Sequence, residues 1–466
     1  MTMQPFIEDI FPLAPFQDFI LYFVGLIPGG LSYQQQYTYY LHGQMPPERC
    51  RDAWSRVIEA HPGLRSSFHR DNISRGYQVI HRVAEPNFHY EDLRQMSPEE
   101  RERYVFGFIE RDFHTPLNHY KPPVLRITLK QIEDDLSIMT LTLSHVIFDG
   151  WSLGVALTDF AQVCAELTRG GNGRLEKRPS IRPYLAWFNN REKGDDLAWW
   201  REQLRGATLP RLPFLPPEVK AVMPATANKI HHLILTEEET RVLEKEAASM
   251  SITLNILFQA VWGLMIARLS PERRAVMLTV AASRPPEVKS IDKIFGLLLD
   301  ALPYHLNCPD DQRVSLWLQS LHELQMEAME RRFVPIQDLV AMTDDGTHIP
   351  IYNSYLVFEN MDAGEGKKEN ADLEIQGAYM NSNVGLPVCM MVLPAKQLRV
   401  ALIYSEEYYS AETAELLSKA LYEAMFSLAQ NRDLTLAEAG DLAQLPKVEA
   451  IVNQVAQPAL VNEAAI

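Results

Sequence analysis

The 466-residue sequence lacks a glycine-rich phosphate loop after any β-like stretch, and it contains no Cys-x-x-Cys pair. The first absence removes the dinucleotide-binding and P-loop classes, which need backbone amides brought close to a phosphate. The second leaves Cys50, Cys164, Cys308 and Cys389 far apart, which supports neither a zinc knuckle nor a disulfide framework. Four buried free thiols in a reducing cytoplasm are expected instead. Basic residues are the minority, 44 Lys and Arg against 60 Asp and Glu, for a formal net charge of −16. No nucleic-acid partner is therefore expected, because phosphates need a basic surface to neutralise them. A local basic patch remains compatible with that balance. Long apolar runs are also missing. "FILYFVGLI" is too short to cross a bilayer and follows Glu8 and Asp9 rather than a basic flank, so neither a membrane span nor a secretory signal is predicted.

The 47% apolar and 22% charged residues present are those of a globular chain, and the length favours two lobes over a single core. Residues 49–60, "RCRDAWSRVIEA", place Cys50, Ala53, Trp54, Val57 and Ile58 at helical spacing. Ser97 followed by Glu100 is a capping-box signature. "PPVLRITLKQIEDDLSIMTLTLSH" reads as two strands around Glu133-Asp134-Asp135. Between Arg169 and Pro183 the periodicity is interrupted by glycine, proline and charge. That marks a boundary between an N-terminal lobe, residues 1–175, and a C-terminal lobe, 176–445, with 446–466 as a flexible tail. In the second lobe "TLNILFQAVWGLMIARL" reads as a helix buried on all sides. Strands and helices alternate in both lobes, so the class is mixed α/β.

The chemistry concentrates in "TLTLSHVIFDGWSLG", residues 140–154. Strand alternation puts Met139, Leu141, Leu143 and His145 on one side and Thr140, Thr142 and Ser144 on the other. Leu153, Ala156, Leu157, Phe160, Cys164 and Leu167 then recur at helical spacing, so Asp149-Gly150 forms the turn into a helix starting near Trp151 or Ser152. An imidazole at a helix N-terminus suits acyl transfer, since unpaired N–H groups there favour developing negative charge. Locally, His145 also fits a satisfied core histidine, and Ser152 a simple helix cap. A metal pair from His145 and Asp149 is not supported, because i, i+4 ligation needs a helix and Gly150 opposes one.

"SHVIFDGWS" resembles the HHxxxDG motif of non-ribosomal peptide synthetase condensation domains. "FPLAPFQDFIL" (11–21) and "HPGLRSSF" (61–68) resemble that family's first two motifs. "SRPPEVKSIDKIFGLLLDALP" (283–303), "RRFVPIQDL" and "YLVFEN" follow in the family's order, so the resemblance spans residues 10–445. It implies two chloramphenicol-acetyltransferase-like lobes forming a V-shaped pseudo-dimer around a central tunnel, with crossover segments from the C-terminal lobe to the N-terminal one. By the same resemblance His145 is the catalytic histidine, Asp149 a structural carboxylate paired with Arg284 of the C-terminal lobe, and Gly150 the residue that allows close approach of the donor arm. Arg65 is expected to brace the same neighbourhood, Trp151 to pack, and Ser152 to cap the helix or polarise the thioester carbonyl.

The resemblance further implies a free-standing monomeric acyltransferase. It would take an acyl group from a donor carrier protein's phosphopantetheine to an amine or hydroxyl on an acceptor carrier protein or free small molecule. No cofactor or metal of its own is expected. Three departures stand out: Ser144 replaces the first histidine, Leu278 a glycine and Asp300 an asparagine. A silent docking module, an epimerase-like relative and an ester-forming acyltransferase with a free alcohol acceptor remain the alternatives.

Overall fold

The computed structural model describes residues 6–26, 31–70, 76–207, 228–268, 273–342, 354–359 and 373–443, so the expected tail at 446–466 lies outside the described residues. The chain divides into two compact units, each assembled from three stretches.

The first unit comprises Met1–Arg191, Ala282–Leu299 and Met361–Val384. Its elements follow in the order β1 (Ile7–Pro12), α1 (Pro15–Leu26), β2 (Gln34–His42), α2 (Pro47–Ala60), β3 (Ser66–His69), β4 (Tyr77–His81), β5 (Asn87–Asp92), α3 (Pro98–Phe113), β6 (Leu125–Glu133), β7 (Leu136–Ser144) and α4 (Gly150–Thr168). The larger sheet runs β2-β7-β6-β5, and Glu374–Ser382 adds a strand antiparallel to β2. A smaller sheet has the order β1-β4-β3.

The alternation along β7 sets up two different layers. Met139, Leu141 and Leu143 are buried. Their side of the sheet is covered by the packed pair α2 and α4, where Trp54 stacks on Phe160 with ring centroids 5.1 Å apart and its indole N–H points at Met139 Sδ, 3.3 Å away. Thr142 on the other side donates to Asp112 of α3, and Thr38 and Thr140 face each other at 3.4 Å. Buried hydroxyls there are satisfied by partners on neighbouring elements, as burial of polar groups requires. The capping box of α3 joins Ser97 and Glu100.

The second unit comprises Glu192–Ala281, Asp300–Asn360 and Gly385–Ile466. Its six-stranded sheet has the order Leu299–Asn307, Arg274–Ala282, Ser354–Phe358, Val388–Leu393, Arg399–Tyr404, Lys229–Ile234. Helix Leu254–Arg268 is buried at every position from Ile256 to Ala267, which accounts for its unbroken apolar sequence. Leu278 and Asp300, two of the departures, are buried within strands of this unit. All four cysteines are buried and unpaired.

Candidate functional site

His145 leaves the end of β7 on a turn held at several points. Its backbone N–H donates to Tyr33 O at 2.8 Å, and Ile147 N–H donates to Ser144 O at 3.1 Å. Tyr33 adopts a left-handed backbone, φ 59°, a strained conformation for a bulky residue. The His145 ring stacks on Phe148 with centroids 5.1 Å apart, and Nδ1 lies 2.8 Å from Phe148 O. A carbonyl only accepts, so Nδ1 carries the proton and Nε2 keeps its lone pair in the neutral ring. The residue is half-buried. Desolvation holds its pKa below the ordinary histidine value, while the bond to Phe148 O opposes that shift.

Asp149 caps α4, and Ser152 three residues later completes a capping box. The cap is thus the aspartate, one turn earlier than a serine cap would place it. The carboxylate is 2% exposed. It accepts from Ser152 N at 2.8 Å, Ser152 Oγ at 2.6 Å, Leu298 N at 3.0 Å, and Arg284 Nη2 at 2.7 and 2.8 Å. With both oxygens engaged, it has no lone pair to spare for acid–base work, and its chemistry is to hold the turn. The expected pair of Asp149 and Arg284 is present, but Arg284 belongs to the first unit, because Ala282–Leu299 packs there as a crossover from the later part of the chain.

Ser152 cannot polarise a substrate carbonyl. It is fully buried, and its hydroxyl lies 3.0 Å from Gly296 O as well as within the capping box. Gly150 is the first helical residue. Trp151, expected to pack, is 55% exposed, its indole N–H donating to Asp292 O at 2.8 Å with the Arg284 guanidinium 5.8 Å from its ring. Arg65 stands in another setting: it pairs with Glu8 at 2.7 Å and donates to His81 O, so it joins β1 to β4 rather than bracing residues 144–152.

Sequence reasoning missed His119. Its Nε2 lies 2.8 Å from Ser144 Oγ, and burial pushes its pKa down to about 4. No periodicity in "NHYKPP" pointed to it. An open groove of about 570 Å³ gathers Lys177, Arg178, Lys289 and Lys293. Lys177 pairs with Glu8, which Arg65 also engages, and Arg178 pairs with Asp159; the lining's acidic members are Glu176 and Glu287. Among the described residues no group of three or more His, Cys, Asp or Glu side chains is arranged to hold a metal ion. No single helix there is long and apolar enough to cross a membrane.

The family model described as Condensation domain matches residues 7–445. Among curated relatives, chondramide synthase cmdD of Chondromyces crocatus is 25% identical over 429 residues, covering 91% of this chain and 11% of that protein. Gramicidin S synthase 2 of Aneurinibacillus migulanus is 20% identical over 461 residues, 96% of this chain and 10% of that one. The chain therefore spans only a small part of these relatives. The first condensation domain of the CDA synthetase superposes with a TM-score of 0.72 at 16% identity, covering 92% of this chain and 98% of that one. A mutant starter condensation domain of rhizomide synthetase, solved in complex with C8-CoA and Leu-SNAC, gives a TM-score of 0.77 at 15% identity and covers 92% and 96%. The mixed α/β fold is that of these condensation domains.

Proposed function

Because the chain belongs to the condensation-domain family, we propose that it transfers an acyl group from a carrier-borne phosphopantetheine thioester to an amine, forming an amide. The observation that carries this reading is the His145 ring: Nδ1 is held by Phe148 O, and Nε2 is left as a base at the start of a 19-residue helix. His145 Nε2 takes the proton of the attacking nitrogen as the new C–N bond forms. The tetrahedral oxyanion faces the N–H groups of Gly150 and Trp151, for which the described residues supply no acceptor, since Asp149 takes Ser152 N–H and Leu153 N–H. Collapse breaks the C–S bond, and the proton leaves with the pantetheine thiol. The donor is already activated, so alignment contributes most, up to about 7–11 kcal/mol in well-oriented reactions. Asp149 and Arg284 act by keeping the turn rigid.

The rhizomide relative was solved with C8-CoA and Leu-SNAC, which makes that pair the first probe. Intact-mass analysis of the full chain with both should yield the octanoylated acceptor and free CoA. His145→Ala should slow transfer by about 10²–10⁴-fold, the range for positioned acid–base help. The rate should fall on acidification with a midpoint below the ordinary histidine value of 6.5, because the protonated ring has lost its lone pair. Undiminished turnover in His145→Ala would remove the histidine from the mechanism. Tight binding of an acyl-loaded carrier with no transfer would point to recruitment instead.

A further inference from the structure

Ser144 occupies the place of the first histidine in the HHxxxDG pattern, yet an imidazole still reaches that point from another part of the first unit. His119, between α3 and β6, sets Nε2 2.8 Å from Ser144 Oγ. The same oxygen accepts Val146 N–H at 3.4 Å, and Ser144 O accepts Ile147 N–H at 3.1 Å, so Ser144 clasps the turn that carries His145. His119 is anchored in turn. Its carbonyl accepts Phe68 N–H of β3 at 2.9 Å. The preceding segment is tied down by Gln34 Nε2, which donates to Phe113 O at 2.6 Å and Thr115 O at 3.1 Å, and Gln34 is the cross-strand partner of Ser144.

We infer that His119 is a positioning residue for His145, acting through Ser144 and supplying from a neighbouring segment the imidazole that the strand itself lacks. A serine hydroxyl rotates freely unless a partner fixes it, and one held by Nε2 keeps its second lone pair on Val146 N–H. The turn from Ser144 to Phe148 then keeps one shape, and with it the Nδ1–H tautomer of His145. Burial keeps the His119 ring neutral, so it remains a partner for the hydroxyl throughout the neutral range. A histidine at 144 would place a second ring where that of His119 now lies.

The inference rests on His145 as the reacting imidazole, but its test requires no turnover. The full chain is labelled with ¹⁵N-histidine, the His145 signals are assigned by their loss in His145→Ala, and thermal melts are run alongside. The wild type should show His145 as a single Nδ1–H tautomer. His119→Phe and Ser144→Ala should move both ring nitrogens toward the averaged positions of mixed tautomers, and His119→Gln, which keeps a polar group at that reach, should not. Ser144→His alone should also perturb His145, and Ser144→His with His119→Ala should restore it. A single tautomer in folded Ser144→Ala, or a double variant no better than Ser144→His, would overturn the inference. If His119→Phe fails to fold, Ser144→Ala and His119→Gln decide the matter. A chain that holds the tautomer yet transfers no acyl group would count against the acyl-transfer reading alone.

Discussion

Asp149→Asn preserves the size of the side chain and removes its charge, and its cost follows from what surrounds it. The carboxylate is 2% exposed and accepts from Arg284, Leu298 N–H and both donors of Ser152. An amide must turn its NH₂ toward at least one of them. Asparagine caps helices about as well as aspartate, so the cap itself loses little. The ion pair decides the outcome: the Arg284 side chain is 10% exposed and would be left without a counter-charge, which costs about 3–5 kcal/mol. Opening of the first turn of α4 should then become roughly 150- to 5,000-fold more frequent, at 1.36 kcal/mol per factor of ten. Hydrogen exchange read by mass spectrometry over residues 149–156 and 296–299 measures that opening locally, without assuming that a two-unit chain unfolds in one step. Arg284→Met should cost less, because the carboxylate keeps three donors. The double variant should lose less than the sum of the two single changes. A cost for Asp149→Asn below about 1 kcal/mol, or one unchanged by the presence of Arg284, would refute the assignment of this pair as the brace of the turn.

Stability should also depend on pH through His119. Its pKa is pushed from 6.5 to about 4 in the folded chain, so on acidification the unfolded chain takes the proton first. Stability should therefore fall from about pH 6.5 toward pH 4, by at most about 3 kcal/mol and by less because His119 is only half-buried. Urea midpoints across that range should decline less steeply in His119→Gln, and parallel declines would refute the assignment. Gly63→Ala would drive a methyl into the Phe295 carbonyl oxygen, a backbone atom that cannot swing aside. A loss of about 1–3 kcal/mol is expected, seen as a lower urea midpoint, and an unchanged midpoint would deny the close approach.

Much of the site was legible before any coordinates because its local parts obey short-range rules. Alternation along residues 139–144 needs only the pleat of one strand, and it put His145 at the end of an apolar row whose members Met139, Leu141 and Leu143 are buried. The apolar spacing from Leu153 onward needs only helical geometry, and the capping box at Ser97 only three residues of chain. Short range also explains the errors. Ser152 looked like a cap because serine caps helices, but Asp149 had the better-placed oxygen and took the role. Trp151 looked like packing because indole is usually buried, but nothing in the sequence says which way a helix start faces. The strand Glu374–Ser382 and the segment Ala282–Leu299 join the first unit from far along the chain; no local pattern announces that return, and only the family resemblance implied crossover segments of this kind.

The sequence by itself thus determined the identity of the strand, turn and helix around His145, since each depends on contacts a few residues apart. The resemblance to a known family, not any local pattern, anticipated that Arg284 meets Asp149 across 135 residues; tertiary structure alone decided that Leu298 joins them across 149 and that His119 reaches Ser144 across 25. Those meetings depend on how distant segments pack, a choice made by the whole unit's core and left unspecified by any one stretch.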